Sequence, residues 1–273
     1  MKSTNTTFGK FLLGSLLVTS TQAASIRYEG SGDYLTAGNW VGDAIPGSAD
    51  QARINWNNNL VTLGGTAPDV QNLQTGVNGS GTLEINNNGS LTSTGWSMIG
   101  TVAGGGATPA VGGLTINDGG AMTTGTHFWS GVDGSTGLTN VNSGGILNVG
   151  GILGLGTVNA VDPSGGVATL NINDGGIVNL NNIHASGTSI QPGSILNIYG
   201  SGQLLLPAGF EGNLTNYINN GQIVGNDTPG FAGLMIDNSI NPGFTTVLTT
   251  IPEPSSLGLL GICGASVLLR RRR

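Results

Sequence analysis

The chain has 273 residues, of which 50 are glycine and only 8% are charged, and its formal net charge at pH 7 is −6. Between Ala24 and Pro252 there are thirteen acidic residues against two basic ones, Arg27 and Arg53, so this stretch carries a net charge of about −11. Because nucleic-acid binding depends on lysine and arginine at the phosphates, the composition excludes a nucleic-acid partner.

Residues 1–24 predict a secretory signal peptide. Two lysines flank a short uncharged stretch, an apolar run follows from Phe11 to Val18, and small residues end at Ala23 and Ala24. Eight apolar residues are too few to span a bilayer, and an A-x-A-like site follows at once, so we expect cleavage after Ala23 or Ala24. The remainder of the chain is therefore expected to be exported.

The segment 25–80 is expected to hold an N-terminal cap and the first turns of a repeat array. From Arg27 to Leu63 the sequence is the least repetitive part of the chain, which is typical of an irregular capping segment. Trp40 and Trp56 could instead form a platform for stacking sugars. We favour burial in the cap, because aromatic side chains dominate core burial.

Residues 81–240 contain a unit that recurs five times. An apolar reference residue is followed four positions later by Gly and six positions later by a second apolar residue. The reference residues are Ile85, Ile116, Val141, Ile172 and Ile198; the glycines are Gly89, Gly120, Gly145, Gly176 and Gly202; the second apolar residues are Leu91, Met122, Leu147, Val178 and Leu204. The alternation with a period of two on both sides of the glycine predicts strand, turn, strand.

Two further features define the repeat. Asn follows the reference residue in four copies, where an Asx-type turn is expected, and the glycines are expected to supply positive φ. Another Gly lies fifteen residues after the reference in four copies, whereas the loop that follows varies in length, so the period is 25–31 residues. These positions are Asn86, Asn117, Asn142 and Asn173 for the Asn, and Gly100, Gly131, Gly156 and Gly187 for the Gly. A fixed block with a variable loop is typical of stacked repeats.

The predicted fold is therefore all-β: a single-stranded β-solenoid (β-helix) of irregular 25–31 residue repeats, with short helices only at the N-terminal signal and the C-terminal tail. We expect the reference residues and the second apolar residues to form two inward ladders, each side chain contributing about 1.5 to 3 kcal/mol on burial. The single Cys263 has no partner in the chain, so disulfides cannot replace this packing. The array is expected to decay into a cap by residue 240, and residues 241–251 are expected to be a linker.

Residues 252–273 have the features of a membrane-targeted signal. Pro252, Glu253 and Pro254 precede an apolar stretch of thirteen residues, Leu257 to Leu269, and the chain ends in Arg270, Arg271, Arg272 and Arg273. As a helix the stretch would be about 20 Å long, against about 30 Å of hydrocarbon, and the arginines favour a cytoplasmic end. An ordinary C-terminal membrane anchor is the simpler alternative.

The order and spacing of Pro252-Glu253-Pro254, the apolar stretch and the arginines resemble the PEP-CTERM sorting signal of Gram-negative bacteria. This resemblance implies processing by an exosortase, a membrane enzyme, with transient insertion of the C-terminal helix into the inner membrane. It also implies a producer that makes exopolysaccharide, so this polymer is a candidate partner. The repeats are similar to the Gly- and Asn-rich β-solenoids of autotransporter passengers.

The sequence gives little support for catalysis. Asp118 and Asp174 occupy the same turn position two repeats apart, about 10 Å by strand spacing, which slightly exceeds the separation in inverting glycosidases. Capping of turns is the favoured role for both. His127 and His184 fall at positions of opposite parity and are not expected to share a metal. No catalytic residue, metal or cofactor is predicted.

We therefore expect an exported, non-catalytic structural protein of the cell surface or extracellular matrix, with an inner-membrane precursor. The first alternative is a polysaccharide-binding adhesin that uses Trp96, His127, Phe128 and Trp129. A carbohydrate-active β-helix enzyme is the second alternative.

Overall fold

The computed structural model describes residues 23–55, 57–102, 110–157, 165–184 and 189–250, and of these 51% lie in strands and 7% in helices. The expected predominance of β structure is confirmed. Within the described part of the chain, no helix is long and apolar enough to cross a membrane. The expected C-terminal membrane helix lies outside the described residues.

Most strands are short. The first ten are β1 (Ala24–Arg27), β2 (Gly32–Asp33), β3 (Asp50–Ile54), β4 (Asn59–Leu63), β5 (Asn72–Val77), β6 (Ser80–Ile85), β7 (Ser90–Ser93), β8 (Ser97–Thr101), β9 (Val111–Ile116) and β10 (Ala121–Thr124). The others are β11 (Phe128–Ser130), β12 (Thr136–Val141), β13 (Ile146–Leu155), β14 (Val167–Ile172), β15 (Ile177–Asn182), β16 (Ile195–Ile198), β17 (Gln203–Pro207), β18 (Ile223–Gly225), β19 (Thr228–Pro229), β20 (Leu234–Asp237) and β21 (Phe244–Thr249). In the described ranges they are accompanied by one α-helix, α1 (Glu211–Asn219), and two short 3-10 helices, Ala37–Asn39 and Gly230–Ala232.

The strands form two sheets that are built mainly from parallel pairs. The larger, twelve-stranded sheet runs β1-β3-β5-β8-β11-β13-β15-β17-β21-β20, and β10 joins it beside β13 and in turn pairs with β7. The smaller, nine-stranded sheet runs β2-β4-β6-β9-β12-β14-β16-β18-β19. Neighbours in each sheet of the array come from successive repeats, since β9 pairs in parallel with both β6 and β12.

One repeat divides between the two sheets. In the repeat that begins with β9, a turn at residues 117–120 leads from the smaller sheet to β10, and a corner at residues 125–127 leads from β10 to β11, both in the larger sheet. Because β6, β9, β12, β14 and β16 pair in register, equivalent side chains of these successive repeats lie one above another.

Both predicted aliphatic ladders are confirmed. Ile116 lies opposite Ile85 on one side and Val141 on the other, and Met122 lies between Leu91 and Leu147 in the same way. All ten side chains of the two ladders are between 0% and 2% exposed. The core therefore runs through the repeats as continuous rows of like residues, which keeps each burial contribution at the upper end of the usual range.

The asparagines after the reference residues form a third ladder. Asn117 Nδ2 donates to Asn86 Oδ1 at 2.7 Å, Asn142 Nδ2 donates to Asn117 Oδ1 at 2.7 Å, and Asn173 Nδ2 donates to Asn142 Oδ1 at 2.6 Å. These amides bond between repeats and not within their own turns, in contrast to the expected Asx-type turns. Each inner amide acts as both donor and acceptor, so the ladder links four successive repeats without charge.

The turn glycines have a different role from the one expected. The positive φ falls mainly one residue earlier, at Asn88, Gly119, Gly144 and Gly175. The recurring glycine is needed because the preceding repeat approaches closely: a Cβ on Gly145 would lie 2.5 Å from the carbonyl oxygen of Ile116. The corner glycines do adopt positive φ, at +73°, +64° and +70° for Gly100, Gly131 and Gly156, whereas Gly187 lies outside the described residues.

The sheets extend beyond the five predicted copies. The segment Arg27–Leu63, expected to be an irregular cap, contributes strands to both sheets, and Leu63 lies opposite Ile85 at the start of the first ladder. This repeat is hard to recognise in the sequence for two reasons. Gly64-Gly65 stands where the other turns begin with Asn, and no strand forms at the position of the second apolar residue.

The C-terminal end departs from the expectation in two ways. Helices were expected only in the signal and the tail, but α1 lies within the body and buries Leu214, Tyr217 and Ile218, which share one helical face. Residues 241–251, expected to be a linker, include β21, which pairs antiparallel with β17 and β20. Its β-branched residues Thr245, Thr246 and Val247 are all buried, and this burial is what recruits the segment into the sheet.

Candidate functional site

The expected processing residues lie at or beyond the two ends of the described body. Ala24 is the first residue of β1 and lies opposite Asp50 of β3, and Ala23 immediately precedes it. Cleavage after Ala23 would leave β1 whole, whereas cleavage after Ala24 would remove its first residue. The sorting residues Pro252, Glu253, Pro254 and Arg270 to Arg273 lie outside the described residues.

Trp40 lies in the core of the N-terminal segment and is not a surface platform. Its indole is 2% exposed and meets the rings of Tyr28 and Tyr34 edge-on, with centroids 4.9 Å and 4.8 Å away. The indole Nε1–H donates to the carbonyl oxygen of Tyr34 at 2.7 Å. Burial raises the pKa of the Tyr34 hydroxyl well above its ordinary value. Trp56 lies outside the described residues.

Three of the four residues predicted for glycan binding form one aromatic cluster: Trp96, His127 and Trp129. The ring centroids of Trp96 and Trp129 lie 6.4 Å apart with planes tilted by 30°, and those of His127 and Trp129 lie 5.2 Å apart with planes tilted by 24°. All three side chains are half-buried, so part of each ring faces solvent. The cluster therefore presents adjoining aromatic rings, tilted by 24° to 30°, on the outside of the larger sheet.

Phe128, the fourth predicted residue, does not belong to this surface. It is 0% exposed and lies opposite Ser97 and Leu153, both of which point into the core. Successive residues of a strand face opposite sides of the sheet, so Trp129 points outward because Phe128 points inward. Trp129 lies opposite Met98 and Gly154 on the outer face.

Backbone contacts hold the cluster in place. The buried hydroxyls of Ser93 and Thr124 donate to the carbonyl oxygens of Trp96 and His127, at 2.9 Å and 3.1 Å, and so fix both corners. The backbone N–H of Ile152 donates to His127 Nδ1 at 3.3 Å, which orients the imidazole and leaves Nε2 for other partners.

Gly154 provides the space that Trp129 occupies. A Cβ at this position would lie 2.6 Å from Trp129 Cδ1, a distance that the rigid indole could tolerate only by moving. The indole therefore lies over the backbone of the next repeat, and the sequence gives no direct signal of this, since Gly154 is one of several glycines in its stretch.

The carboxylates and histidines are separated. Asp174 Oδ1 accepts the Ser201 hydroxyl at 2.6 Å and the Ser201 backbone N–H at 2.8 Å, and these bonds lower the pKa of Asp174 from its ordinary value. Ser143 occupies the same turn position in the repeat between Asp118 and Asp174. His184 is exposed and lies in another repeat from His127. Across the described ranges, no three His, Cys, Asp or Glu residues are grouped to hold a metal ion.

The structure brings together a basic pair that no pattern in the sequence predicted. Arg27 of β1 lies directly opposite Arg53 of β3, and the same outer row of the larger sheet continues through Gln74 and Met98 to Trp129. Arg27 and Arg53 line a surface cavity of about 330 Å³ together with Ser25, Val41 and Asn55. The basic pair and the aromatic cluster therefore share one face.

Comparison with known proteins bears on the C-terminal end. The sequence features of the two ends are those of the class of exported proteins that carry a C-terminal sorting signal. Residues 250–273 match the family model described as the PEP-CTERM protein-sorting motif, so the chain carries this sorting motif in its last residues. This motif implies export, sorting to the cell surface and an exosortase as processing partner. No curated protein and no solved structure gave a significant match to the chain.

Proposed function

We propose that this protein is a non-catalytic structural component of the cell surface or extracellular matrix, and that its body is a β-solenoid. The observation that carries the proposal is the set of continuous ladders, two aliphatic and one of asparagine, that run through successive repeats. Ladders of this kind stabilise an elongated body without disulfides or many charges, which suits a protein outside the cell. Small-angle scattering from the body in solution should give the cross-section of a rod, and a compact sphere would contradict the solenoid.

Sorting is tested at the motif itself. Replacing Pro252, Glu253 and Pro254 by alanine should leave the precursor in the inner membrane, whereas the matched replacement of Ser255 and Ser256 by alanine should be processed normally. Both are read by cell fractionation and immunoblotting, beside a chain that lacks its last 22 residues. Equal processing of both substituted chains would refute an exosortase and favour an ordinary membrane anchor.

The non-catalytic part of the proposal has its own test. Incubating the exported protein with the polysaccharide of the producing cell should release neither reducing ends nor unsaturated sugars. Release of either would identify a carbohydrate-active enzyme and overturn this part of the proposal.

The aromatic cluster supports a second candidate function, the binding of a polysaccharide. Two half-buried tryptophan rings, with centroids 6.4 Å apart and planes tilted by 30°, suit stacking against the C–H faces of sugar rings. The His127 Nε2, left free by the bond at Nδ1, can hydrogen-bond a sugar hydroxyl.

Replacing Trp129 by alanine should abolish saturable polysaccharide binding, measured by affinity electrophoresis. The matched control is Phe231→Ala, which removes an aromatic side chain that is 43% exposed and lies near the C-terminal end of the body, outside the cluster. Binding that survives Trp129→Ala, or that Phe231→Ala weakens equally, would exclude the aromatic cluster as the glycan site.

A further inference from the structure

Arg27 and Arg53 bring two like charges together, and of the two only Arg27 forms an ion pair with a described carboxylate. They are the only two cations between Ala24 and Pro252, and they occupy directly opposite positions on two neighbouring parallel strands. Like charges at directly opposite positions destabilise a sheet. A stretch of about 225 residues that has no other cation therefore places both of its charges where they repel each other.

The surroundings of Arg53 increase this cost. Its side chain is half-buried, and burial lowers the pKa of its guanidinium below the ordinary value. Arg53 Nη2 donates to Gln51 Oε1 at 3.3 Å, but its buried Nε has no hydrogen-bond partner within the described ranges. Arg27 already forms an ion pair with Glu29, whereas no carboxylate among the described residues forms one with Arg53. Arg53 is thus the cation that lacks an anionic partner among the residues that the structure describes.

The cavity beside the pair favours a carboxylate on a sugar ring over a free ion. A guanidinium presents its N–H groups as a planar fork, and this geometry matches the two oxygens of a carboxylate. Ser25 and Asn55 add polar groups to the wall, and Val41, which is 47% exposed, adds an apolar one. An apolar wall beside a cationic fork suits a ring that carries both C–H groups and a carboxylate.

The position of the cavity on the larger sheet connects it with the aromatic cluster. Arg53 and Trp129 stand in one outer row, separated by Gln74 and Met98, so three strand spacings or about 14 Å lie between them. A short stretch of polysaccharide laid across the strands reaches both. No other described position offers an arginine for an anionic sugar, since Arg27 and Arg53 are the only arginines between Ala24 and Pro252.

We propose that Arg53, with Arg27, forms the acidic-sugar subsite of a polysaccharide-binding face that extends to Trp129, and that the ligand is a polysaccharide containing uronic acid. The inference rests on the glycan-binding function proposed above and specifies the class of glycan. A uronate at the subsite gives the guanidinium of Arg53 an anionic partner and places an anion beside the two like charges.

The test uses the full chain and a matched pair of probes, oligogalacturonate and the same oligosaccharide with its carboxylates reduced to alcohols. Titration calorimetry should show that the wild-type chain binds the acidic probe about tenfold more tightly or better, as expected for charge-assisted hydrogen bonds. Arg53→Gln should remove this preference, so that the variant binds the acidic probe no more tightly than the reduced one. Arg53→Lys, which keeps the charge but loses the fork, should restore only part of it.

The outcomes separate the subsite from the binding function. Equal binding of the two probes by the wild-type chain, or a preference that persists in Arg53→Gln, would overturn the subsite and leave the glycan function standing. Failure of both probes to bind would overturn the glycan function and the subsite together. If Arg53→Gln changes only self-association in sedimentation, the partner of Arg53 is a carboxylate of a second copy, and the subsite is wrong. Circular dichroism establishes that each variant is folded.

Discussion

Truncating Ile172 to alanine measures how much one step of the aliphatic ladder contributes. Ile172 is 0% exposed and lies opposite Val141 and Ile198, so the lost methyl and methylene groups leave a cavity between two neighbouring repeats. Truncations of this kind lower the free energy of unfolding by about 2 to 5 kcal/mol. A loss of about 3 kcal/mol corresponds to a fall in Tm of roughly 6 to 12 °C for a body of this size.

The matched control lies in the same strand. Val167 of β14 is 49% exposed, and Val167→Ala should change the free energy of unfolding by no more than about 0.5 kcal/mol. Urea and thermal denaturation followed by circular dichroism give both values. Ile172→Asp should be more severe, preventing folding or causing aggregation, because it buries an unpaired charge. If Ile172→Ala destabilises the body no more than Val167→Ala does, the interior ladder is refuted.

Three further predictions concern the turns and the C-terminal end. Gly145→Ala should lower Tm because its Cβ meets a backbone carbonyl, whereas Gly64→Ala, with nothing within 4 Å, should leave Tm nearly unchanged; equal effects would contradict the close approach. Asn142→Ala breaks two ladder bonds and should cost about 1 to 3 kcal/mol in urea denaturation, and an unchanged midpoint would mean that the ladder contributes nothing. Hydrogen bonds, first from its own backbone N–H and then from a threonine hydroxyl, hold the pKa of Glu211 below its ordinary 4.5. The contribution of Glu211 to the free energy of unfolding is therefore complete above pH 4.5 and is lost as the pH falls through the folded-state pKa. Glu211→Gln should therefore flatten the acid side of the stability profile, and an unaltered profile would remove Glu211 from that transition.

The array was predictable because the local sequence of each repeat specifies the strands and the turn of that repeat. The reference residue, the glycine four positions later and the second apolar residue recur with fixed spacing, and this spacing alone predicts the two aliphatic ladders and their register. The role of the asparagines was harder to predict. A side chain that can bond its own turn can also bond the equivalent residue of the next repeat, and only the stacking distance decides between these alternatives.

What the sequence did not predict depends on contacts between distant segments. The pattern around Pro242 and Gly243 resembles a linker. The residues that follow form β21 only because they pair with β17, as Val247 does with Leu204. α1 has only nine residues, several of them asparagine, and this is too few for a helical period of apolar residues to be recognised. The pairing of Arg27 with Arg53 likewise depends on the length of a loop that no repeat specifies.

The attachment of the last strand to the body limits how the C-terminus can be processed. Thr249 ends β21, and Thr250 still bonds to the body through its backbone N–H to Gly233 at 3.1 Å and its hydroxyl to Ala232 at 3.1 Å. Only Ile251 then separates this anchored residue from Pro252, a reach of about 7 Å for two extended peptide units. An enzyme that acts at the motif must either work against the surface of a finished body or capture the chain before β21 closes, so the timing of folding and the timing of sorting are coupled.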